Sequence, residues 1–267
     1  MNMRTRELGQ AVGAEWAKLW SVRSTWWCLA GAVVLMVMSA LMLGGATATN
    51  MLRDEGGGTR FPASEPVISA TSFAQFALVA LAMLVITSEY ASGSIRSTLQ
   101  ATPIRGRVIA AKALVVGPVM FAAGVLSGAV ATAVVYTVLS ADLFGGYVVL
   151  PPAEVALDLL RVGIFFALVS VMTLGVGTAV RSAAGTLTVV FMLLMGLPLM
   201  LLMTGASAAM EVSLRMPLFA GLAFMGSTDN LTGGPMPYGA GEGLLWLLAW
   251  TVAAVAAGHV VLRRRDA

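Results

Sequence analysis

Six long stretches of the sequence contain no aspartate, glutamate, lysine or arginine. Each stretch is at least 19 residues long, and together they cover residues 24–52, 66–88, 113–141, 162–180, 182–210 and 243–262. A helix of about 20 residues, rising about 1.5 Å per residue, matches the roughly 30 Å hydrocarbon core of a bilayer. The stretches therefore predict six membrane-spanning helices.

Composition agrees with this interpretation, since 58% of the residues are hydrophobic and only 11% are charged. A soluble domain carries roughly 25% charged residues, and a chain this apolar would expose large hydrophobic patches in water. Barrel strands alternate apolar and polar side chains over about 10 residues, and the stretches show no such alternation. The predicted fold class is an all-α integral membrane protein with a single transmembrane domain, residues 1–267.

Adjusting the stretches to their apolar parts gives the predicted bounds of spans one to six. They are about 25–45, 70–88, 110–139, 159–180, 183–204 and 243–262. The segment of about 208–228 is different, because its uncharged run of 13 residues, 216–228, is too short to cross a bilayer. We predict a re-entrant or interfacial helix there, on the outer side.

The distribution of basic residues predicts the orientation. Twelve of the 16 lysines and arginines lie in the N-terminal segment, in the connections after spans two and four, and at the C-terminus. The other four are Arg53, Arg60, Arg161 and Arg215. Because basic flanking segments stay in the cytoplasm, we predict that both termini are cytoplasmic. An excess of arginine over lysine with abundant Ala, Gly and Val is typical of high-G+C bacteria, so the predicted location is a bacterial plasma membrane.

A periodic apolar face precedes the first span. Over residues 5–20, helical spacing puts four apolar side chains on one face, with Glu15 mostly off that stripe. The four are Leu8, Val12, Trp16 and Leu19. The pattern predicts an amphipathic helix that lies flat in the membrane interface. The alternative is a disordered leader with accidental periodicity.

The sequence also excludes several kinds of chemistry. The uncharged spans offer no acid–base pair for an intramembrane enzyme and no ionisable residue for proton-coupled transport. A P-loop needs a Gly-Lys pair, yet Lys18 and Lys112 both follow alanine. We expect no cofactor or metal in this chain and no nucleic-acid partner. Sodium coupling through carbonyls and hydroxyls stays open, but energy for active transport most simply comes from another subunit.

The connection between spans two and three carries a recognisable motif. A glutamate is followed by a glycine, a Thr-Leu pair, a Thr-Pro pair, a basic residue and a lysine that opens the next span. These are Glu89, Gly93, Thr98-Leu99, Thr102-Pro103, Arg105 and Lys112. The pattern resembles the first cytoplasmic loop of ABC-2 type transporter permeases. The leader residues 15–26 resemble the high-G+C bacterial branch of that family.

The resemblance implies a type V ABC exporter fold. Two permease copies, identical or different, would pack together, and each would rest on a separate ATP-binding subunit that holds ATP and Mg²⁺. Residues 89–109 would hold the coupling helix, with Ile95 and Leu99 entering a cleft on the partner. The residues implied in coupling are Glu89, Gly93, Ile95, Arg96, Thr98, Leu99, Pro103, Arg105, Arg107 and Lys112. The alternative for the arginines is orientation and binding of anionic membrane lipids.

The function that follows is that of a permease subunit of an ATP-driven exporter for an amphipathic or hydrophobic substrate. The alternative is a membrane-anchored assembly or scaffold protein without transport activity. A P-loop ATPase in the neighbouring reading frame favours the first function, and its absence across many genomes favours the second.

Cysteine labelling tests the orientation. In a Cys28→Ala background, cysteines introduced at positions 57 and 234 should react with a membrane-impermeant maleimide in intact cells, because we expect both to lie outside. A cysteine at position 100 should react only after permeabilisation. Labelling of position 100 in intact cells would overturn the predicted orientation.

Overall fold

The computed structural model describes residues 3–53, 60–101, 104–141, 146–227 and 236–264, with side chains for all but 3–6, 96, 99 and 101. These residues are almost entirely helical. The α-helices are α1 Met3–Ser21, α2 Arg23–Arg53, α3 Glu65–Ser92, α4 Ile95–Ala101, α5 Arg105–Leu139, α6 Pro152–Val180, α7 Ala183–Phe191, α8 Leu197–Met203, α9 Ser207–Leu214, α10 Pro217–Met225 and α11 Ala240–Arg264. Two short strands, β1 Phe61–Pro62 and β2 Val148–Val149, pair in parallel.

Six helices among the described residues are long and apolar enough to cross a membrane. They are α2, α3, α5, α6, the continuous run Ala183–Met203, and α11. The prediction of a helical, multi-pass membrane protein with six apolar helices is therefore confirmed. Several helices run past their charge-free cores, and α5 extends over 35 residues, since helical geometry continues into the polar flanks.

The centre of the bundle is formed by α3 and α6. Within their most apolar windows, 67% and 61% of the residues are buried, against 22% in α2 and 17% in α11. The peripheral helices turn large apolar side chains outward, for example Met42, Met203 and Val252. Outward apolar side chains are the pattern expected of a surface that faces lipid, because lipid chains replace the missing apolar neighbours.

Small residues allow α5 and α6 to pack closely. A Cβ atom added at Gly163 would lie 2.7 Å from Val125 Cγ2, and one at Gly124 would lie 3.1 Å from the Gly163 Cα. Contacts this short leave no space for a side chain. The glycines therefore bring the two backbones together, as small residues do at helix crossings in membranes.

At one end of the bundle, paired strands and an ion pair join two connections. Ser64 Oγ donates to Asp158 Oδ2 at 2.6 Å, and Arg161 Nη1 lies 3.8 Å from Asp158 Oδ1. The i,i+3 spacing of Asp158 and Arg161 predicts this pair, which is confirmed. With the β1–β2 pairing, these contacts fix the chain before α3 against the start of α6.

The predicted outer segment, about 208–228, contains α9 and α10, which meet at a bend of 65°. Such a pair is either a broken span or a re-entrant hairpin. All nine residues of α10 are buried, whereas a helix lying flat in the interface would leave one face exposed. The burial of α10 argues against a helix that lies flat in the interface.

Side-chain hydrogen bonds hold this bend. Trp250 Nε1 donates to Arg215 O at 2.9 Å and Tyr238 Oη donates to Leu214 O, both carbonyls at the bend. Ser213 Oγ, just before the bend, donates to Pro198 O of α8 at 2.7 Å. Irregular backbone at membrane depth is tolerated only where protein groups replace the missing hydrogen bonds. These three donors therefore stabilise the bend.

Replacing the indole donor tests this account. We expect Trp250→Phe to lower the free energy of unfolding by about 1–3 kcal/mol, because the Arg215 carbonyl loses its donor. Thermal unfolding in detergent would measure the change. Trp246→Phe is the matched control, since the Trp246 indole donates only to the exposed Glu242 carboxylate at 3.2 Å. Equal losses in both variants would contradict a special role for the Trp250 bond.

Candidate functional site: a buried ion-pair quartet

Four charged side chains meet where α1, the end of α3, α4 and the start of α5 come together, here called the α4 end of the bundle. Lys112 Nζ lies 2.6 Å from Glu15 Oε2 and 2.9 Å from Glu89 Oε1. Lys18 Nζ lies 2.9 Å from Glu15 Oε1 and 2.9 Å from Glu89 Oε1. We call these four residues the Glu–Lys quartet. Its two carboxylates and two ammonium groups alternate, so the quartet is formally neutral.

Because the quartet is buried, each of its charged groups depends on the others for stabilisation. Lys112 is 2% exposed, and both glutamates are 6% exposed. A buried charge that loses its partner is costly, because neither water nor an opposite charge then stabilises it. Lys112 Nζ also donates to Val85 O at 3.3 Å, so its three protons all have acceptors. The quartet therefore fixes three helices, α1, α3 and α5, to one another.

Local sequence explains why α1 can supply two of the four groups. Glu15 and Lys18 are three residues apart on α1 and therefore lie on one face of the helix. Lys18 is half-exposed, and burial lowers its pKa, but hydrogen bonds from Lys18 to Glu89 and Glu15 outweigh burial and leave its pKa raised. Lys18 thus keeps its positive charge at physiological pH.

The predicted interfacial helix corresponds to α1, which spans the predicted residues. Leu19 is buried, Leu8 and Val12 are half-buried, and Trp16 is 50% exposed. Glu15 points into the chain toward Lys112 rather than lying with the polar face. Whether α1 lies in a membrane interface stays a prediction.

The short helix α4 follows a turn at Gly93, where φ is +73°. That left-handed conformation suits glycine, which has no Cβ to clash. Thr98 Oγ1 in α4 accepts a hydrogen bond from Lys18 Nζ at 3.4 Å, and Ile95 is 3% exposed. Ile95 therefore packs within its own chain and is not available to a partner's cleft in this conformation.

The remaining predicted coupling residues have different positions. Arg96 and Leu99 lie in α4, but their side chains are outside the described part of the chain, as is all of Pro103. Among the α4 residues with described side chains, Ser97 and Gln100 are exposed. Gln100 marks the outward face of α4.

The two arginines at the start of α5 bind groups of their own chain. Arg105 Nη1 donates to Leu262 O at 2.6 Å, where the last carbonyls of α11 attract a positive charge. Arg107 pairs with Glu7 of α1. Both side chains thus tie α5 to neighbouring helices, so any acidic group on a partner must compete with these contacts.

The quartet has a structural role. Its ammonium groups are neutralised by carboxylates. No group of three or more His, Cys, Asp or Glu side chains in the described ranges lies close enough together to hold a metal ion. What the quartet can do is transmit force between α4 and the bundle, because each member contacts two others.

Removing charges one at a time and together tests the interactions within the quartet. We expect Lys112→Met to reduce the free energy of unfolding by about 3–5 kcal/mol, because it leaves two buried carboxylates with one ammonium group. Adding Glu89→Gln restores neutrality, so the double variant should lose less stability than the two single changes summed. Denaturant unfolding in mixed micelles would measure all three variants. Strict additivity would show that Lys112 and Glu89 do not interact.

No protein-family model matches the sequence, and no curated protein matches it. The relation to ABC-2 type permeases therefore stays a resemblance, carried by residues 89–112 and the leader.

Proposed function

We propose that the chain is the permease subunit of an ATP-driven exporter of the ABC-2 type. It would move an amphipathic or hydrophobic substrate with energy from a separate ATP-binding subunit, and it would pair with a second permease copy. The observation that carries the proposal is the connection of α4 to the bundle through the Glu–Lys quartet. A short helix outside the spans, with one exposed face, is suited to receiving force from a partner.

The contacts of the quartet support a route for that force. Lys18 joins Thr98 of α4 to Glu89 near the end of α3. Because α3 is the most buried of the spanning helices, a displacement of α4 would move the centre of the bundle and not only its surface. Packed helices with few alternative arrangements convert small shifts at one end into larger rearrangements.

The outward face of α4 supports docking of a partner. Gln100 is exposed, and the neighbouring Ile104 is 52% exposed. Exposed apolar surface beside polar groups is common where proteins bind one another. Because Ile95 is buried, the proposed contact region is this face together with Arg105 and Arg107. Acidic groups of the partner would compete there with the intrachain contacts of the two arginines.

Substitution on this face tests the proposal. The chain would be co-expressed with any P-loop ATPase that a neighbouring reading frame encodes, and purified in detergent. We expect the two proteins to co-purify, and we expect Gln100→Trp to reduce the bound ATPase at least tenfold, because a bulky ring on the outward face of α4 blocks close contact. ATPase activity per purified permease would be measured in parallel.

Leu150→Trp is the matched control, because Leu150 is 44% exposed and lies beside β2, at the far end of α5. This variant should keep its ATPase partner. Equal co-purification of the Gln100→Trp and unchanged proteins would remove α4 from the interface. Failure of any ATPase to bind would instead favour the scaffold function.

A further inference from the structure

A cavity of about 480 Å³ opens at the α4 end of the bundle, between α1, α2, α3 and α4. Small-molecule sites commonly have volumes of about 300–1,000 Å³. The charged side chains in its wall are Glu15, Lys18 and Glu89, and the hydroxyl side chains are Ser21, Ser24, Thr25, Ser88, Ser92, Ser94, Ser97 and Thr98. This wall differs from a typical apolar pocket, because it has many hydroxyl groups.

Most of these hydroxyl groups donate a hydrogen bond to a backbone carbonyl. Ser88 Oγ donates to Leu84 O at 2.5 Å, and Ser92 Oγ donates to Ser88 O at 2.8 Å. The same arrangement holds for Ser21, Thr25 and Ser97. A hydroxyl oxygen that donates its one proton still has lone pairs. These groups therefore present acceptors, and few donors, to whatever fills the cavity.

The charged groups of the wall add no free donor. Lys18 Nζ uses its three protons on Glu15, Glu89 and Thr98. Glu89 Oε1 accepts from two lysines, and Glu89 Oε2, which has no hydrogen-bond partner among the described residues, is itself enclosed. The hydroxyl oxygens are therefore the acceptors that a ligand's N–H group can reach from the cavity.

The cavity becomes apolar along α3. Leu81, Leu84 and Val85 line it on the side toward the middle of the helix, and Ser88 and Ser92 line it toward the end. From Leu81 to Ser92 the helix rises about 16 Å. A ligand that matches both parts has a polar head near Ser92 and an apolar tail near Leu81.

We propose that this cavity binds a small amphipathic primary amine, with its ammonium group among the hydroxyl oxygens of Ser88 and Ser92 and its apolar part against Leu81, Leu84 and Val85. An ammonium group offers three donors and no acceptor, which complements an acceptor-rich wall. A phosphate or sulfate head would meet mostly oxygen lone pairs, because five of the eight hydroxyl groups in the wall already donate to backbone carbonyls. The volume is far larger than one lysine or arginine head, so a small molecule fits better than a partner's side chain.

Photo-crosslinking would locate the site. The probe is an octylamine with a diazirine on its chain, added to the full chain in phosphatidylcholine nanodiscs. We expect saturable crosslinks to peptides within residues 15–25 and 81–98. Octylammonium should compete at least tenfold better than octyltrimethylammonium, which has the same charge but no N–H donor, and octyl phosphate should not compete.

A pair of variants separates the site from simple partitioning into lipid. Ser88→Ala with Ser92→Ala should weaken labelling at least tenfold, because two acceptors are lost. Ser39→Ala is the matched control, since Ser39 also donates to the carbonyl four residues earlier but lies outside the cavity. Thermal unfolding of both variants would confirm that the fold is kept.

Three results would overturn the proposal. They are equal competition by octyltrimethylammonium, labelling that does not saturate, and unchanged labelling in the Ser88→Ala, Ser92→Ala variant. Protection of residues 88–92 by a bound protein but not by octylammonium would show that the cavity receives a partner's side chain instead. The experiment needs no ATPase, so the proposed transport function and this site can fail separately.

Discussion

Lys112 places an ammonium group where water barely reaches it, and a buried charge needs partners of opposite charge. This requirement determines how the helices pack at the α4 end of the bundle. The exposed fraction of Lys112 is 2%, so this buried ammonium group is stabilised by Glu15 and Glu89, which lie within hydrogen-bond distance. Glu15 belongs to α1, which therefore cannot leave the bundle without uncovering Lys112. Glu89 belongs to α3, and its contact with Lys18 extends the same dependence to Thr98 in α4.

Buried polar groups also need partners at the other end of the bundle, but at the bend there the partners are neutral. The bend between α9 and α10 interrupts a helix, and its carbonyls receive neutral donors from Tyr238 and Trp250. A neutral hydrogen bond contributes about 0.5–1.5 kcal/mol, which is less than a buried ion pair loses when one partner is removed. We therefore expect the α4 end to behave as one unit and the bend to tolerate more change.

The difference between what could and could not be predicted follows from the range of each interaction. Span length and the Asp158–Arg161 pair are local properties, so the sequence predicts six apolar helices and an i,i+3 contact. The inward orientation of Glu15 depends on Lys112, which lies 97 residues away in the sequence. The periodicity of α1 does not identify that partner. The burial of Ile95 could not be predicted either. Its spacing from Leu99 predicts that the two residues share a face of α4, but it does not show that other parts of the chain cover Ile95.

The quartet also determines the character of the cavity beside it. Because Lys18 donates all three of its protons within the chain, the only described cation in the cavity wall has no N–H group left for an anion. The nearby serines donate to backbone carbonyls of their own helices. A site built to satisfy its own donors is left with acceptors, and the complementary ligand is therefore a cation that carries N–H groups.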